Sequence, residues 1–304
     1  MFLKGLFSTY VLFNVCYATA FFLYPPWAAQ VLDLAGRGPD GHGGEGLQAF
    51  ARRSSQKDIE RRILSQSRLV RRDPDGLQLM ETPKGKFWEP AIEGTVVVPQ
   101  IAEFEAKYTG FERPIHSGDI VLDCGANVGT FTREAVDEGA AIVVAIEPAP
   151  NNVESLRRNF AAEIAAGKVI VYPKGVWDKD DFLTLAINNT TSAMDSFVIQ
   201  GDTHPGVRVP LTTVDKLVAE LKLPKVDFIK MDIEGAEKQA LAGAAKTLAA
   251  YRPRMEISVD HLQEDPQMVP VVVRQIRSDY RIECLETEIN RKKLRLEAGI
   301  LYFH

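Results

Sequence analysis

Cysteine is scarce in this chain: among 304 residues there are three, Cys16, Cys124 and Cys284, and they lie far apart in the sequence. A disulfide framework needs paired cysteines, and a thiol redox motif or a cysteine metal site needs two of them a few residues apart. The sequence therefore excludes both kinds of protein, and a reducing compartment suits it best.

A large excess of charge is also missing, because the formal net charge is −5. Proteins that bind nucleic acid through its phosphates need a dominant basic surface, so no nucleic-acid partner is expected. With 45% hydrophobic residues and no internal repeat, the chain is neither collagen-like nor wholly disordered. Its length allows one or two globular domains.

Residues 6–24 contain no charged side chain. As a helix, these 19 residues would rise about 28 Å, close to a bilayer core of about 30 Å, so a transmembrane or signal-anchor helix is predicted within residues 1–35. Two alternatives stay open: a cleaved signal peptide ending near Ala18-Thr19-Ala20, and a hydrophobic helix packed on the domain.

A glycine-rich linker and a basic segment together occupy residues 36–72. Residues 52–72 contain eight lysines and arginines against two acidic residues, whereas acidic residues outnumber basic ones in 73–304. Basic side chains beside a membrane segment favour the cytoplasmic leaflet and its anionic lipids. We therefore expect a single-pass, membrane-associated protein whose catalytic part is cytoplasmic. A solvated helical face is the alternative for 52–72.

The remaining residues, 73–304, are predicted to form one catalytic domain, with 73–117 as an extension on the substrate side. From residue 118 onward, apolar runs alternate with helical stretches, which is typical of a mostly parallel sheet with helices on both faces. Strands are expected at 85–89, 95–98, 119–124, 142–147, 169–172, 226–231 and 255–259, an inserted hairpin at 182–199 with its turn at 188–190, and an antiparallel pair at 281–285 and 299–303. Helices are expected at 101–108, 129–138, 151–165, 214–221, 236–249 and 266–279.

A glycine-containing loop runs from Asp123 to Gly129, where the first strand of this sheet turns into its helix. Glycines there let the backbone approach a ligand closely, and Glu147, at the end of the next strand, is placed to accept hydrogen bonds from two ribose hydroxyls. Asp123 would repel a pyrophosphate, which favours a ligand with a cationic or zwitterionic end, such as S-adenosylmethionine. A purely structural turn is the alternative for the glycines.

Four motifs in order carry a family resemblance: Asp123-x-Gly-Ala-Asn-x-Gly, Glu147-Pro148, Thr213-Val214-Asp215 and Lys230-Met-Asp-Ile-Glu-Gly-Ala-Glu237. With them, residues 85–304 resemble the FkbM family of S-adenosylmethionine-dependent methyltransferases. The resemblance implies a class I methyltransferase (Rossmann-like) α/β fold and O-methylation of a hydroxyl on a sugar, glycolipid, polyketide or related small acceptor. It implies cofactor contacts at Asp123, Gly125, Ala126, Asn127, Gly129, Glu147, Pro148, Gly175, Val176 and Asp232.

Catalytic candidates follow the strand that ends at Met231. Strand alternation puts Lys230 and Asp232 on one face, and the carboxyl ends of parallel strands line the crevice of such sheets, so Asp232 and Glu234 are expected to meet the substrate. Lys230 is expected to tune their charge, or alternatively to pair internally with Asp232. His261 follows the next strand and is a candidate general base with a pKa near neutrality, or else a lone surface histidine.

No metal is expected. Asp232, Glu234, Glu256 and His261 offer ligand atoms that suit magnesium or manganese, but their spacing matches no established ligand motif, and acids at a strand end often orient hydroxyls or cap a helix.

Two other functions remain open. One is a nicotinamide-dependent oxidoreductase, which the missing GxGxxG motif and the antiparallel strand pair disfavour. The other is a non-catalytic, membrane-tethered binding module.

Overall fold

The computed structural model describes five stretches of the chain. No helix in these stretches has the length and apolar character needed to cross a bilayer. The predicted anchor at 6–24 and the predicted turn at 188–190 lie outside the described residues. The described stretches are 56–91, 94–108, 114–185, 206–290 and 295–304.

Helices and strands alternate over most of the described chain. The helices are 56–65 (α1), Val97–Lys107 (α2), Thr130–Asp137 (α3), Pro150–Asn159 (α4), Ala161–Ala165 (α5), Val214–Glu220 (α6), Glu237–Ala242 (α7), Ala245–Tyr251 (α8) and Asp265–Ile276 (α9). The strands are Arg68–Arg72 (β1), Leu77–Thr82 (β2), Gly85–Pro90 (β3), Ile120–Cys124 (β4), Ile142–Ile146 (β5), Val169–Tyr172 (β6), Gly175–Val176 (β7), Asp181–Leu185 (β8), Val207–Thr212 (β9), Phe228–Met231 (β10), Arg254–Ser258 (β11), Ile282–Asn290 (β12) and Arg295–Phe303 (β13).

A seven-stranded sheet organises the domain, in the order β12-β13-β11-β10-β4-β5-β6. The strands from β11 to β6 run parallel, and β13 is antiparallel to both β11 and β12. Neighbouring residues of β10, Phe228 and Ile229, are fully buried in separate apolar clusters, one on each face. The predicted mostly parallel α/β sheet with an antiparallel C-terminal pair is confirmed.

Helix α2 begins where the sequence predicts a strand at 95–98, so that prediction is wrong. Glu89, at the end of β3, has no exposed surface, and its Oε2 accepts hydrogen bonds from the backbone nitrogens of Val96 (2.9 Å) and Val97 (3.0 Å). The run of β-branched residues favours a strand locally, but a carboxylate from another element satisfies the first amides of a helix.

The helix predicted over 236–249 is divided into α7 and α8. A Cβ on Gly243, between them, would lie 2.0 Å from the carbonyl oxygen of Trp177. The carboxylate of Asp215 accepts hydrogen bonds from the backbone nitrogens of Lys246 (3.0 Å) and Thr247 (2.8 Å) at the start of α8. Asp215 of the Thr213-Val214-Asp215 motif therefore caps a helix.

Residues 56–72, which the sequence places in the basic segment before the domain, include α1 and β1. Ile63 of α1 is buried against Phe87, Val97 and Ile101, so α1 packs on the domain. Strands β1, β2 and β3 form a small antiparallel sheet. In a third sheet, β8 pairs antiparallel with β9, and the second half of the hairpin predicted over 182–199 lies outside the described residues.

We expect Asp215→Ala to lower the free energy of unfolding by about 1–3 kcal/mol, because it removes a helix cap that accepts two backbone hydrogen bonds and one from the Thr247 hydroxyl. Denaturant unfolding measures this change. Asp137→Ala, which removes an exposed carboxylate 3.7 Å from Arg133, is the control and should have little effect. Equal effects of the two substitutions would contradict the capping role.

Candidate active site

The carboxyl ends of β4, β5, β10 and β11 surround a cavity of about 300 Å³. This edge of a parallel sheet is where ligands bind in α/β proteins of this kind. Most of the sequence-predicted site residues line the cavity, namely Gly125, Ala126, Asn127, Glu147, Pro148, Gly175, Val176, Lys230, Asp232, Glu234 and His261. Two predicted residues, Asp123 and Gly129, are not among its lining.

Both glycines of the loop after β4 have left-handed backbone conformations, with φ of +80° at Gly125 and +93° at Gly129. A Cβ on Gly125 would lie 1.9 Å from the carbonyl oxygen of Asp232, and one on Gly129 would lie 2.3 Å from the ring of Phe160. The close approach expected toward a ligand is therefore made to the chain itself. Packing accounts for these glycines, and Gly125 also borders the cavity.

Glu147 is held at the cavity by two backbone hydrogen bonds. Its Oε2 accepts from the nitrogen of Asn127 and its Oε1 from that of Ala149, each at 2.8 Å, and its residue surface is 5% exposed. Asn127 has a positive φ of 50°, which is uncommon for a residue with a side chain. The loop after β4 and the end of β5 are thus joined through one carboxylate.

Asp123 lies near the end of β4 and is not among the residues that line the cavity. It has no exposed surface, its Oδ2 accepts a hydrogen bond from the hydroxyl of Thr132 (2.6 Å), and its Oδ1 is 3.6 Å from Nζ of Lys230. Burial raises the pKa of Asp123, although Lys230 opposes the rise. Asp123 acts on the site through Lys230.

Lys230 joins the two strands at the centre of the sheet. Its Nζ donates a hydrogen bond to the carbonyl oxygen of Gly125 (2.9 Å) and lies 3.8 Å from Oδ2 of Asp232. Burial lowers its pKa, but the charges of Asp232 and Asp123 outweigh this effect and raise it. The internal pairing considered from the sequence is present, and Lys230 also borders the cavity.

Three of the predicted catalytic side chains come together. Nε2 of His261 lies 3.4 Å from Oδ1 of Asp232 and 3.5 Å from Oε1 of Glu234. Its other ring nitrogen, Nδ1, lies 3.2 Å from Oε1 of Glu237, which also accepts a hydrogen bond from the nitrogen of Ile233 (2.9 Å). Glu234 has a φ of +56°, so a backbone strained for a residue with a side chain carries this carboxylate.

The electrostatics of this group differ from the expectation of a neutral histidine base. Burial lowers the pKa of His261, but hydrogen bonds with Glu234 and Glu237 and the charge of Asp232 raise it to about 12. Burial raises the pKa of Glu234, while the charges of Lys230 and His261 overcome burial and lower that of Asp232. The carboxylates around His261 therefore favour its protonated form.

Glu256, the fourth residue considered for a cation, lies apart from this group. Its Oε1 accepts a hydrogen bond from Nζ of Lys107 (2.6 Å), and its Oε2 accepts one from the hydroxyl of Tyr108.

Sequence reasoning missed Lys107, which lines the cavity together with Gln100 and Phe104 of the same helix. An apolar, amphipathic stretch at 97–107 is a signal for a buried helix and not for a site.

A model of the methyltransferase FkbM domain matches residues 123–281, just over half of the chain. This chain belongs to the FkbM methyltransferase family. The matched range contains the end of β4 and all of β5, β10 and β11, and it includes all the predicted cofactor and catalytic residues. It begins at Asp123, so α1, α2 and the small β1-β2-β3 sheet lie outside the match.

Two curated relatives are methyltransferases. The 31-O-demethyl-FK506 methyltransferase FkbM of Streptomyces tacrolimicus is 27% identical over 157 residues, which cover 42% of this chain and 60% of that protein. The hexuronic acid methyltransferase AglP of Haloferax volcanii is 25% identical over 178 residues, covering 57% of this chain and 67% of that protein. This FkbM-family chain thus aligns with less than two thirds of the first relative.

A solved structure of a methyltransferase FkbM, from Methylobacillus flagellatus, is also similar. It is 20% identical in sequence, with a TM-score of 0.47, and the alignment covers 70% of this chain and 56% of that one.

For this FkbM-family chain we expect Gly118→Ala to lower the free energy of unfolding by about 1–2 kcal/mol, because φ there is +87° and no atom lies within 4 Å of the new Cβ. Gly125→Ala has nearly the same φ but also meets the carbonyl oxygen of Asp232, and should cost about 1–3 kcal/mol more. Denaturant unfolding of the matched pair isolates this contact. Equal losses would show that the contact does not constrain the loop.

Proposed function

We propose that this protein is an S-adenosylmethionine-dependent O-methyltransferase that acts on a hydroxyl of a small acceptor. The observation that carries the proposal is that the Glu147 carboxylate and the Asp232, Glu234 and His261 group line one cavity. A carboxylate at the end of the second strand suits a ribose, and a polar group beside it suits a hydroxyl.

The chemistry of the cavity fits the cofactor. Glu147 lines the cavity at the end of β5, where a carboxylate is placed to accept hydrogen bonds from ribose hydroxyls. Gly175 and Val176 line the same cavity with small and apolar surface suited to an adenine ring, whereas Trp177 is not among its lining. Bound there, S-adenosylmethionine would supply its sulfonium methyl group to the acceptor oxygen and leave as S-adenosylhomocysteine, and the proton of the hydroxyl would pass to a carboxylate of Asp232 or Glu234.

The chain's own part in this reaction is to hold the acceptor oxygen and receive its proton. Asp232 and Glu234 are hydrogen-bond acceptors at the cavity wall, with side chains 35% and 16% exposed. His261 lies between them, with its Nε2 at 3.4 Å from Asp232 and 3.5 Å from Glu234, and these carboxylates raise its pKa. Methyl transfer is a displacement in which the acceptor oxygen must lie close to the methyl carbon, so groups that orient the acceptor contribute much of the catalysis.

The names of the relatives support a hydroxyl acceptor on a sugar or a polyketide. One relative is named for a 31-O-demethyl compound and the other for a hexuronic acid. We extend only the class of acceptor to this chain, because the alignments cover 60% and 67% of those proteins.

We expect Glu147→Gln to weaken binding of S-adenosylmethionine and S-adenosylhomocysteine at least about 10-fold, because it removes charge-assisted hydrogen bonds to the ribose. Calorimetry measures the affinity. Glu154→Gln, on the surface of the helix that follows, is the matched control and should bind as the wild type does.

Transfer itself is tested with methyl-labelled cofactor and extracts of lipids, glycans and small molecules. We expect label in one acceptor fraction and an equal amount of S-adenosylhomocysteine. Cofactor binding without transfer to any fraction would favour the non-catalytic module over the enzyme.

We further propose that residues 52–72 contact an anionic lipid surface beside the predicted anchor, with the catalytic domain on the cytoplasmic side. Apolar side chains are exposed on this segment: Leu64 is 51%, Leu69 45% and Val70 41% exposed. Between and beside them, Arg61 and Arg68 have side chains that are 78% and 75% exposed. Exposed apolar residues flanked by guanidinium groups are typical of a surface that lies on a membrane.

In vesicle flotation of the full chain, we expect more protein to float with vesicles containing anionic lipid than with neutral ones, and high salt to remove the difference. Replacing Arg61 and Arg68 by glutamine should reduce the salt-dependent part. The contact would be contradicted if anionic lipid did not increase the amount of floating protein. It would also be contradicted if the increase remained both in high salt and after these substitutions.

A further inference from the structure

The geometry around His261 points to a divalent-cation site formed by Oδ1 of Asp232, Oε1 of Glu234 and Nε2 of His261. The ligand atoms that these residues offer all lie within 4.8 Å of one another. We propose that the site takes an oxygen-preferring ion such as Mn²⁺ or Mg²⁺. The site rests on this geometry alone, whereas its role toward the acceptor hydroxyl rests on the proposed function.

The spacing is that of ligands around an ion. Two ligand atoms bonded to one cation at about 2.1 Å, at angles of 90–110°, are about 3.0–3.5 Å apart. The Nε2 to carboxylate distances are 3.4 Å and 3.5 Å. Direct charge-assisted hydrogen bonds are shorter, at about 2.7–2.9 Å, so these distances suit an ion between the groups better than a direct pair.

The position of Glu237, on the side of His261 away from Asp232 and Glu234, independently supports a metal-bound histidine. It has no exposed surface, and its Oε1 lies 3.2 Å from Nδ1 of His261, which leaves Nε2 to face the cavity. A buried carboxylate behind the outer nitrogen of a histidine is the usual support of a metal-bound imidazole. The second oxygen of Glu237, Oε2, is buried and has no hydrogen-bond partner among the described residues.

The formal charges leave room for a cation. Asp123, Asp232, Glu234 and Glu237 carry four formal negative charges. A histidine that coordinates an ion through Nε2 carries no proton there and is neutral, so among the described residues Lys230 is the cationic group in contact with them. The nearby Lys107 is paired with Glu256. A divalent ion would therefore offset most of the remaining negative charge.

The donor set also indicates which ions suit the site. Two carboxylate oxygens and one imidazole, without a thiolate, favour Mn²⁺ or Mg²⁺ over soft ions. Three protein ligands leave coordination positions open toward the cavity. An acceptor hydroxyl is the natural occupant of one of them, and coordination would lower its pKa so that it gives up its proton more readily.

Calorimetry with MnCl₂ and the full chain tests the site, without cofactor or acceptor present. We expect one Mn²⁺ per chain and a rise in Tm as the ion is added. Asp232→Asn and His261→Gln should each weaken binding by about 100-fold or more. Glu237→Gln changes the residue that orients His261 but none of the three ligands, and it should weaken binding by about 10- to 100-fold. The control is Glu103→Gln, a carboxylate of the same cavity outside the group, which should bind Mn²⁺ as the wild type does.

Millimolar Mn²⁺ and Mg²⁺ that produce neither heat nor a change in Tm would overturn the site. So would equal affinities of the Asp232→Asn and Glu103→Gln variants, because the ion would then lie elsewhere. If a variant does not fold, the wild-type titration and its Tm still decide whether an ion binds. If the chain binds Mn²⁺ but not S-adenosylmethionine, the proposed function is contradicted and the cation site is supported. If EDTA does not reduce methyl transfer, the ion takes no part in the reaction.

Discussion

The partly buried ammonium group of Lys230 is the charge on which the site depends. It lies on the middle strand of three, with Asp123 and Glu256 at the same register on either side. Taking such a charge out of water is costly, and the cost is offset by the Gly125 carbonyl and by two carboxylates. Because each of these partners belongs to the glycine loop or to the ends of β4 and β10, the loop and the catalytic turn form one unit.

Strained backbone conformations also link the glycine loop to the catalytic turn. Asn127 and Glu234, which both line the cavity, have positive φ angles. Such conformations persist only where the surroundings enforce them, and here the loop of Asn127 is held by Glu147 and the turn of Glu234 by contact with Gly125. Packing and hydrogen bonds therefore constrain the backbone that presents these side chains to the cavity.

Much of the central sheet could be predicted because its strands are buried on both faces and have nearly continuous apolar sequences, as in 142–146 and 228–231. The same reasoning failed at 95–98, where a β-branched run begins a helix because the distant Glu89 caps it. It also missed the break at Gly243, which depends on the carbonyl of Trp177. Both errors arise from partners that lie on other elements, which a local pattern does not contain.

The sequence by itself determined the family, the positions of most strands along the chain and most of the candidate residues at the carboxyl edge of the sheet, because strand alternation and motif spacing are local properties. Only the tertiary structure decided the role of each residue within that set. It placed Asp123 outside the lining of the cavity, separated Glu256 from Asp232, and brought His261 between two carboxylates with Glu237 behind it. Distances between side chains on different elements depend on register and packing, and these are set by the whole fold.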